Sequence, residues 1–310
     1  MLALLFPGQG SQEVGMGRDV CEASPAARAV FEVADAVLGF ALSRLCFEGP
    51  EEELRRTEIQ QPALLATSIA LLRALEEQAA SAPSYVLGHS LGEYSALVAA
   101  DALALEDGLE LVHARGRFMQ EAVPEGRGAM AAVLGIGVEP VAEACRQAAA
   151  QTGGVVSPAN LNAPEQIVIA GDAAAVECAS GLARAAGAKR TLLLPVSAPF
   201  HCALMRPAAE KLRAELARVR FRTPRVPVVT NVEAEPNRDP ARIAALLEQQ
   251  VTAPVRFVDC VRKLAGLGVT RVLEVGPGAV LSGLVARIER SIARAQVGNL
   301  AQVREVAAGL

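Results

Sequence analysis

The sequence predicts an α/β protein in which a parallel sheet is flanked by helices and a smaller α+β unit interrupts the chain. Short apolar runs alternate with helical patterns in the first and last parts of the chain, an order typical of parallel sheets. The middle part instead carries two strand patterns in direct succession. A length of 310 residues also exceeds one compact core of ordinary size.

The elements of the larger part are short apolar strands and amphipathic helices. The expected strands are Leu2–Phe6, Ser84–Leu87, Val226–Thr230 and Arg271–Val275. The expected helices are Met16–Leu38, Pro62–Ala79, Glu106–Ala122 and Val280–Ile288. Pro62 suits the first turn of its helix, where a missing N–H costs nothing.

The middle part has its own order of strands and helices. The patterns are strand Ala129–Ile136, helix Glu139–Ala150, strand Val155–Ala159, strand Gln166–Ala170, helix Ala173–Ala186 and strand Arg190–Leu194. This βαββαβ order is the ferredoxin-like split pattern. We therefore expect a small subdomain over 125–197, inserted into a large domain formed by 1–124 and 198–310.

Composition and charge exclude several classes of function. The net charge of −4 and the absence of Trp argue against a nucleic-acid surface. The first residues are apolar for only a short run without a basic region, which predicts neither a signal peptide nor a membrane anchor. Six scattered cysteines without a C-x-x-C pair favour reduced thiols and a cytoplasmic location.

The stretch Gly88-His89-Ser90-Leu91-Gly92 follows one apolar strand and precedes a helical pattern. In a nucleophile elbow, a strand turns sharply into a helix and a serine sits at the apex. A G-x-S-x-G sequence also arises by chance, and an ordinary strand–turn–helix junction is the alternative. A serine nucleophile further requires a general base, usually histidine.

The chain has three histidines, and elimination leaves one candidate base. His89 neighbours Ser90 on a tight turn, where adjacent side chains diverge. His113 lies within a helix on a partly polar face, which favours a structural role. His201 follows Pro199 and Phe200 in a loop where the chain leaves the middle part. Cys202 beside it is a second-choice reactive thiol.

Two further observations separate this site from that of an ordinary esterase. No Asp or Glu between Ser90 and His201 stands out as the third member of a triad, so a neutral acceptor is expected to orient the histidine. Arg115 falls on an apolar helix face, whereas Arg117 falls on a polar one. A buried arginine requires an anion, for which a carboxylate is the best match, although a structural ion pair is the alternative.

The chain resembles the malonyl-CoA:acyl carrier protein transacylases, which are related to polyketide synthase acyltransferase domains. The motifs that carry this resemblance run in order along nearly the whole chain: FPGQGSQEVGMG, QQPALLATSIAL, GHSLGEYSAL, SPANLNAPEQIVIAG, QQVTAPVRF and EVGPGAVLSGL. The resemblance implies a hydrolase-like α/β core with a parallel sheet and a nucleophile elbow, plus a ferredoxin-like subdomain.

The same resemblance assigns roles to individual residues. It implies that Ser90 is the nucleophile, that His201 is the base and that Arg115 binds the malonyl carboxylate. It further implies that Gln9 and the N–H of Leu91 form the oxyanion hole. The main-chain carbonyl of Gln250 would orient the histidine, and Phe200 would contribute to selectivity for malonyl. The chain departs from the common pattern at Phe257, where many members have Trp, and at Ser282, where many have Thr.

The implied activity is malonyl transfer from malonyl-CoA to acyl carrier protein in fatty-acid biosynthesis, without a metal or redox cofactor. A polyketide or malonate-decarboxylase carrier, a serine thioesterase and a non-catalytic scaffold are the alternatives. An acidic carrier requires a basic patch, for which Arg184, Lys189 and Arg190 are candidates; a solvated charge cluster is the other reading. The oligomeric state stays open, with a monomer as one option.

Overall fold

The computed structural model describes residues 1–80, 82–124, 126–196 and 198–309. Within these residues, the strands are β1 (Leu2–Phe6), β2 (Tyr85–Gly88), β3 (Gly128–Leu134), β4 (Val156–Ala163), β5 (Gln166–Asp172), β6 (Arg190–Leu193), β7 (Val228–Val229), β8 (Pro236–Asn237), β9 (Arg271–Val275) and β10 (Ala293–Val297). The boundary positions 125 and 197 of the expected subdomain lie outside the described residues.

Helices fill most of the chain between these strands. They are α1 (Arg18–Ala23), α2 (Pro25–Leu38), α3 (Leu42–Glu48), α4 (Glu51–Leu54), α5 (Thr57–Gln78), α6 (Gly92–Ala99), α7 (Leu105–Glu121), α8 (Val138–Thr152), α9 (Ala173–Ala185), α10 (Arg206–Leu216), α11 (Pro240–Thr252), α12 (Phe257–Gly266), α13 (Val280–Ile288) and α14 (Leu300–Ala308), with a 3-10 turn at Ala203–Met205. None of these described helices combines the length and hydrophobicity that a membrane span requires.

The larger sheet has the strand order β10-β9-β1-β2-β7-β8. Its pairs are parallel except for β7 with β8, which confirms the predicted mixed α/β architecture with a parallel sheet. In the central pair, Phe6 lies opposite Gly88, so β1 and β2 end at the same edge. The loops that carry Gln9 and Ser90 therefore emerge side by side.

The smaller sheet is antiparallel, with the order β4-β5-β3-β6. Helices α8 and α9 pack on it through an apolar core of their own. Val255, between α11 and α12, pairs with β4 of this sheet, because its N–H donates to the carbonyl of Ala159 at 2.9 Å and its carbonyl accepts from Leu161 at 2.8 Å. This connection places the small sheet beside the α11–α12 turn of the larger part.

The predicted helix 16–38 is wrong as a single element, because it consists of α1 and α2. The break falls at Ser24, whose hydroxyl accepts a hydrogen bond from the N–H of Ala27 at 3.0 Å and so caps α2. Pro25 follows at the first position of α2, and a residue before proline is disfavoured in helical conformation.

Pro62 is also not where it was predicted, since α5 begins at Thr57 and Pro62 lies in the helix interior. Its ring nitrogen cannot donate to the carbonyl of Glu58, four residues earlier. His113 of α7 replaces that missing donor, with Nδ1 lying 2.9 Å from the Glu58 carbonyl oxygen. The helix interior thus tolerates proline through a contact between two helices.

Candidate active site

Ser90 lies between the end of β2 and the start of α6, with φ of 53°, a left-handed conformation that is uncommon for a residue with a side chain. The flanking glycines are sterically required. A Cβ on Gly92 would lie 2.1 Å from the carbonyl oxygen of Phe6, and one on Gly88 would lie 1.8 Å from the carbonyl carbon of Gly92. The two glycines therefore permit the close backbone approaches between β2, the Ser90 segment and α6.

His201 is the histidine that contacts Ser90, with Nε2 2.7 Å from Oγ. Its Nδ1 lies 2.8 Å from the main-chain oxygen of Gln250, which can only accept, so Nδ1 carries the proton. Nε2 is then free to accept the Ser90 hydroxyl proton. Burial, and then the nearby positive charge of Arg115, lower the pKa of His201 to about 3, so the ring is neutral near pH 7.

Arg115 is fully buried on α7, whereas Arg117 is exposed on the same helix, as the pattern predicted. Its guanidinium donates to neutral oxygens, namely Oε1 of Gln61 at 2.8 Å, Oγ of Ser90 at 3.1 Å and Oε1 of Gln250 at 3.0 Å. No carboxylate forms an ion pair with it among the described residues. A direct salt bridge therefore does not account for its burial; burial lowers the pKa of Arg115, and the nearby charge of Glu93 opposes this shift.

Gln9 and Leu91 lie on the two loops next to Ser90. Two amide side chains of α5 hold the Gln9 side chain. Gln9 Nε2 donates to Gln60 Oε1 at 2.6 Å, and Gln9 Oε1 accepts from Gln61 Nε2 at 3.5 Å. The N–H of Leu91 donates to no group within the described part of the chain, as expected at the start of a helix. It is therefore available to an incoming oxygen atom.

The polar side chains at the site that were not predicted from the sequence include Gln61, which accepts from Arg115, and also Asn231 and Glu93. Asn231, which follows β7, accepts from the Ser90 N–H through Oδ1 at 2.7 Å. Glu93 is 2 % exposed in the first turn of α6, and burial raises its pKa to about 7. Their positions in the sequence could have indicated a place near Ser90. Asn231 follows a parallel strand at the edge of the sheet where Ser90 lies, and Glu93 lies one helical turn after Ser90.

The other histidines are engaged elsewhere, in agreement with the elimination. His89 contacts Oδ1 of Asn162 on β4 through Nε2 at 2.8 Å, and burial lowers its pKa. Its ring packs against Phe257, the position where many relatives were expected to have Trp. Cys202 is buried and donates to the carbonyl of Pro199, and burial raises its pKa to about 11, so it is not a reactive thiolate.

The basic cluster Arg184, Lys189 and Arg190 is exposed at the end of α9 and the start of β6. Strand β6 pairs antiparallel with β3, with Arg190 opposite Leu134 at the far end of β3. Phe200 and His201 lie near the other end of β3, where Pro199 packs on Gly128. The cluster is therefore separated from His201 by about the length of β3 from Leu134 to Gly128, roughly 20 Å at a strand rise of about 3.3 Å per residue.

No group of three potential metal ligands occurs among the described residues. The arrangement offers instead a serine, a neutral histidine, free backbone and amide donors, and a buried guanidinium in one small volume. Such a site suits nucleophilic acyl chemistry on a substrate that carries an anion.

Comparison with known proteins gives the class of the chain. The family model for the acyl transferase domain matches residues 3–304. The chain therefore belongs to the acyl transferase domain family and is an acyltransferase.

Individual relatives narrow this class. The malonyl CoA-acyl carrier protein transacylase of Escherichia coli K12 is 51% identical over 286 residues, which cover 92% of each chain. The Bacillus subtilis transacylase is 50% identical, over 94% of this chain and 91% of its own length. Within its family, the chain falls among these malonyl CoA-acyl carrier protein transacylases.

Solved structures agree with this grouping. An acyl carrier protein S-malonyltransferase from Vibrio cholerae superposes with a TM-score of 0.96 at 46% identity, covering 98% of this chain and 99% of that one. A malonyl-transacylase in complex with its type II PKS acyl-carrier protein gives a TM-score of 0.96 at 45% identity, covering 100% of this chain and 99% of that one.

Proposed function

We propose that this chain transfers the malonyl group from malonyl-CoA to the phosphopantetheine thiol of acyl carrier protein, through an ester on Ser90, in fatty-acid biosynthesis. The observation that carries the proposal is the contact of Ser90 Oγ with both His201, at 2.7 Å, and Arg115, at 3.1 Å. A nucleophile, its base and a carboxylate-binding group thus meet at one atom. The transacylase relatives support the same substrates.

Loading begins when His201 accepts the Ser90 hydroxyl proton at Nε2 and Oγ attacks the thioester carbonyl carbon. The resulting oxyanion accepts from the Leu91 N–H and from a donor near Gln9, each of which is expected to stabilise it by about 3 kcal/mol. The C–S bond then breaks, and His201 returns the proton to the departing CoA sulfur. The carbonyl of Gln250 holds the protonated ring throughout.

Unloading reverses these steps with a second thiol. His201 accepts the proton of the carrier's phosphopantetheine thiol, whose sulfur attacks the ester carbonyl of malonyl-Ser90. Collapse of the tetrahedral intermediate transfers the malonyl group to sulfur and returns the proton to Oγ. The scheme requires ping-pong kinetics, and neither a metal nor a redox cofactor takes part in it.

Selectivity for malonyl follows from Arg115 and Phe200. Among the described residues, the guanidinium donates its hydrogen bonds to neutral oxygens, and a substrate carboxylate in their place would form stronger charge-assisted bonds. Phe200, which directly precedes His201 and is 7 % exposed, is proposed to contribute to this selectivity.

The finer architecture is part of the proposal. The positive φ of Ser90 between two sterically required glycines supports a nucleophile elbow in a hydrolase-like core. The βαββαβ order of β3 to β6 supports a ferredoxin-like subdomain over 125–197, inserted between 1–124 and 198–310. The cysteine pattern supports a cytoplasmic location.

The carrier is proposed to approach along β6. Between the basic cluster and His201, Leu192 is 46 % exposed and Leu193 is 74 % exposed, and both lie on the strand that leads towards the site. Leu193 lines one groove with Arg184 and Thr191, so an acidic partner with an apolar contact residue would match both the cation and the leucine on that face of β6. The exposed leucines favour docking over the alternative of a solvated charge cluster, because a cluster that only contacts water requires no exposed apolar side chains beside it.

A polyketide carrier is the second candidate, because a relative of nearly equal similarity is complexed with a type II PKS acyl-carrier protein. A thioesterase is disfavoured, since Arg115 forms no ion pair with any described carboxylate and a backbone carbonyl rather than an acid orients His201.

The experiment that tests the proposal is intact-mass analysis after incubation with malonyl-CoA. We expect a malonyl adduct that is absent in Ser90→Ala and that is discharged by holo acyl carrier protein. An adduct discharged equally fast by water would instead indicate a hydrolase. Parallel discharge by fatty-acid and polyketide carriers would decide between the two candidate pathways.

A further inference from the structure

The backbone of Ser90 is held by two side chains from distant segments. A φ of 53° is unfavourable for a residue other than glycine, so the surroundings must fix it. Asn231 binds both sides of the turn, accepting from Ser90 N–H at 2.7 Å and donating to the Gly88 carbonyl at 2.7 Å. Gln250 Nε2 donates to the Ser90 carbonyl at 3.0 Å, so both backbone polar groups of Ser90 are engaged.

Glu93 joins these two side chains through one carboxylate oxygen. Its Oε2 accepts from Gln250 Nε2 at 2.7 Å and from the N–H of Asn231 at 3.0 Å. Gln250 is also the residue whose carbonyl orients His201 and whose Oε1 accepts from Arg115. The carboxylate therefore lies at the junction of the contacts that fix the serine, the histidine and the arginine.

We propose that Glu93 is a positioning residue that holds Ser90 and His201 in register through Asn231 and Gln250. This inference rests on the proposed roles of Ser90 and His201. Glu93 acts by accepting two buried hydrogen bonds and does not touch the reacting atoms. An apolar residue at this position would leave the Asn231 N–H and one Gln250 N–H unpaired, whereas glutamine would keep an acceptor oxygen for both.

The test measures Ser90 reactivity without malonyl-CoA, using a fluorophosphonate that loses fluoride to an activated serine. We expect Glu93→Ala to lower the second-order labelling rate about tenfold or more, and Glu93→Gln to restore it to within about threefold of the wild type. Circular dichroism and Tm would be recorded for each variant. Should Glu93→Ala not fold, Asn231→Ala, which removes the clamp on Ser90 but leaves Gln250 and Glu93, is expected to lower the rate similarly.

Glu274→Ala is the matched control, because Glu274 is also fully buried and accepts two backbone N–H bonds, from Leu281 and Ser282 of α13. We expect this variant to have a lower Tm than the wild type but the same labelling rate. Wild-type labelling by folded Glu93→Ala, or equal slowing in Glu93→Gln and Glu93→Ala, would overturn the inference. Failure of the wild type to be labelled at Ser90 would instead contradict the proposed nucleophile.

Discussion

The Arg115 guanidinium donates from Nη2 to the Ser90 hydroxyl oxygen over 3.1 Å, so the proposed carboxylate clamp and the proposed nucleophile touch each other in the free protein. The hydroxyl oxygen accepts from Arg115 while its hydrogen is directed to Nε2 of His201. The Ser90 hydroxyl oxygen is thus hydrogen-bonded to both the proposed base and the proposed anion-binding group. The positive charge of Arg115 therefore acts on both Ser90 and His201.

The first prediction concerns this serine–histidine pair. Ser90→Ala is expected to abolish the malonyl adduct, because no other described side chain is placed against Nε2 of His201. His201→Ala is expected to slow adduct formation by about 100- to 10,000-fold, the usual contribution of a general base. Rapid-quench mass spectrometry measures both rates, and a normal adduct in either folded variant would remove the basis of the mechanism.

The second prediction concerns acyl selectivity. Without the guanidinium of Arg115, a malonyl carboxylate would enter the site unpaired, at a cost of about 3 kcal/mol or more. Arg115→Ala is therefore expected to lose at least about a hundredfold in kcat/KM for malonyl-CoA, with a much smaller change for acetyl-CoA. An Arg117→Ala variant controls for loss of an exposed arginine from the same helix. An undiminished preference for malonyl-CoA in Arg115→Ala would make Arg115 a structural residue.

The third prediction is a change in the pKa of His201. The charge of Arg115 is the second cause, after burial, that lowers this pKa to about 3. Replacing Arg115 by Met removes a positive charge while keeping the site filled, so protonating His201 costs less and its pKa rises. NMR titration of the histidine Cε1–H signals, assigned with His201→Ala, measures the midpoint. Arg117→Met should leave it unchanged, and an equal midpoint in Arg115→Met and wild type would contradict the electrostatic account.

Features that depend on local sequence were predicted well. The strand Arg271–Val275 and the helix Val280–Ile288 are confirmed residue by residue, since an apolar run, Gly-Pro-Gly and an amphipathic pattern mark their limits. The break at Ser24 was missed although Ser-Pro is a helix-start signal, because the apolar spacing continues across it. His201 was found by elimination, which works only because the chain has so few histidines.

The hydrogen-bond network around Ser90 could not be predicted in this way. Asn231 lies 141 residues from Ser90 along the chain, and Gln250 lies 157 residues from Glu93. Contacts between such distant residues leave no periodic pattern in a single sequence, and they arise only when parallel strands bring their carboxyl ends to one edge. The same holds for the separation between the basic cluster and His201, which depends on strand pairing.

The fourth prediction concerns the proline inside α5. His113→Ala should remove the donor to the Glu58 carbonyl, which Pro62 cannot replace, and so lower the free energy of unfolding by about 1 kcal/mol. In a Pro62→Ala background, the new N–H at position 62 can donate to that carbonyl, and the same histidine change should cost less. Urea denaturation of the four proteins measures this coupling. A cost of His113→Ala that is equal in both backgrounds would show that the histidine stabilises α5 in another way.

The last prediction concerns carrier docking. Reversing Lys189 and Arg190 to Glu should slow transfer from malonyl-Ser90 to acyl carrier protein and weaken its dependence on salt, because two cations opposite an acidic partner become repulsive. Loading from malonyl-CoA should change much less, since the cluster lies about 20 Å of strand away from His201. Reversal of the exposed Arg220 and Arg222, in the segment between α10 and β7 and outside the small sheet, is the matched control.

The two half-reactions are measured separately, by adduct formation on Ser90 and by its discharge with holo carrier at several salt concentrations. Selective slowing of discharge in the Lys189 and Arg190 variant, with no effect in the control, supports docking along β6. Equal slowing of both half-reactions would indicate a defect in folding or in the CoA site. Wild-type rates for both would place the docking surface elsewhere, because a contact that steers an acidic partner must respond to reversal of its charges.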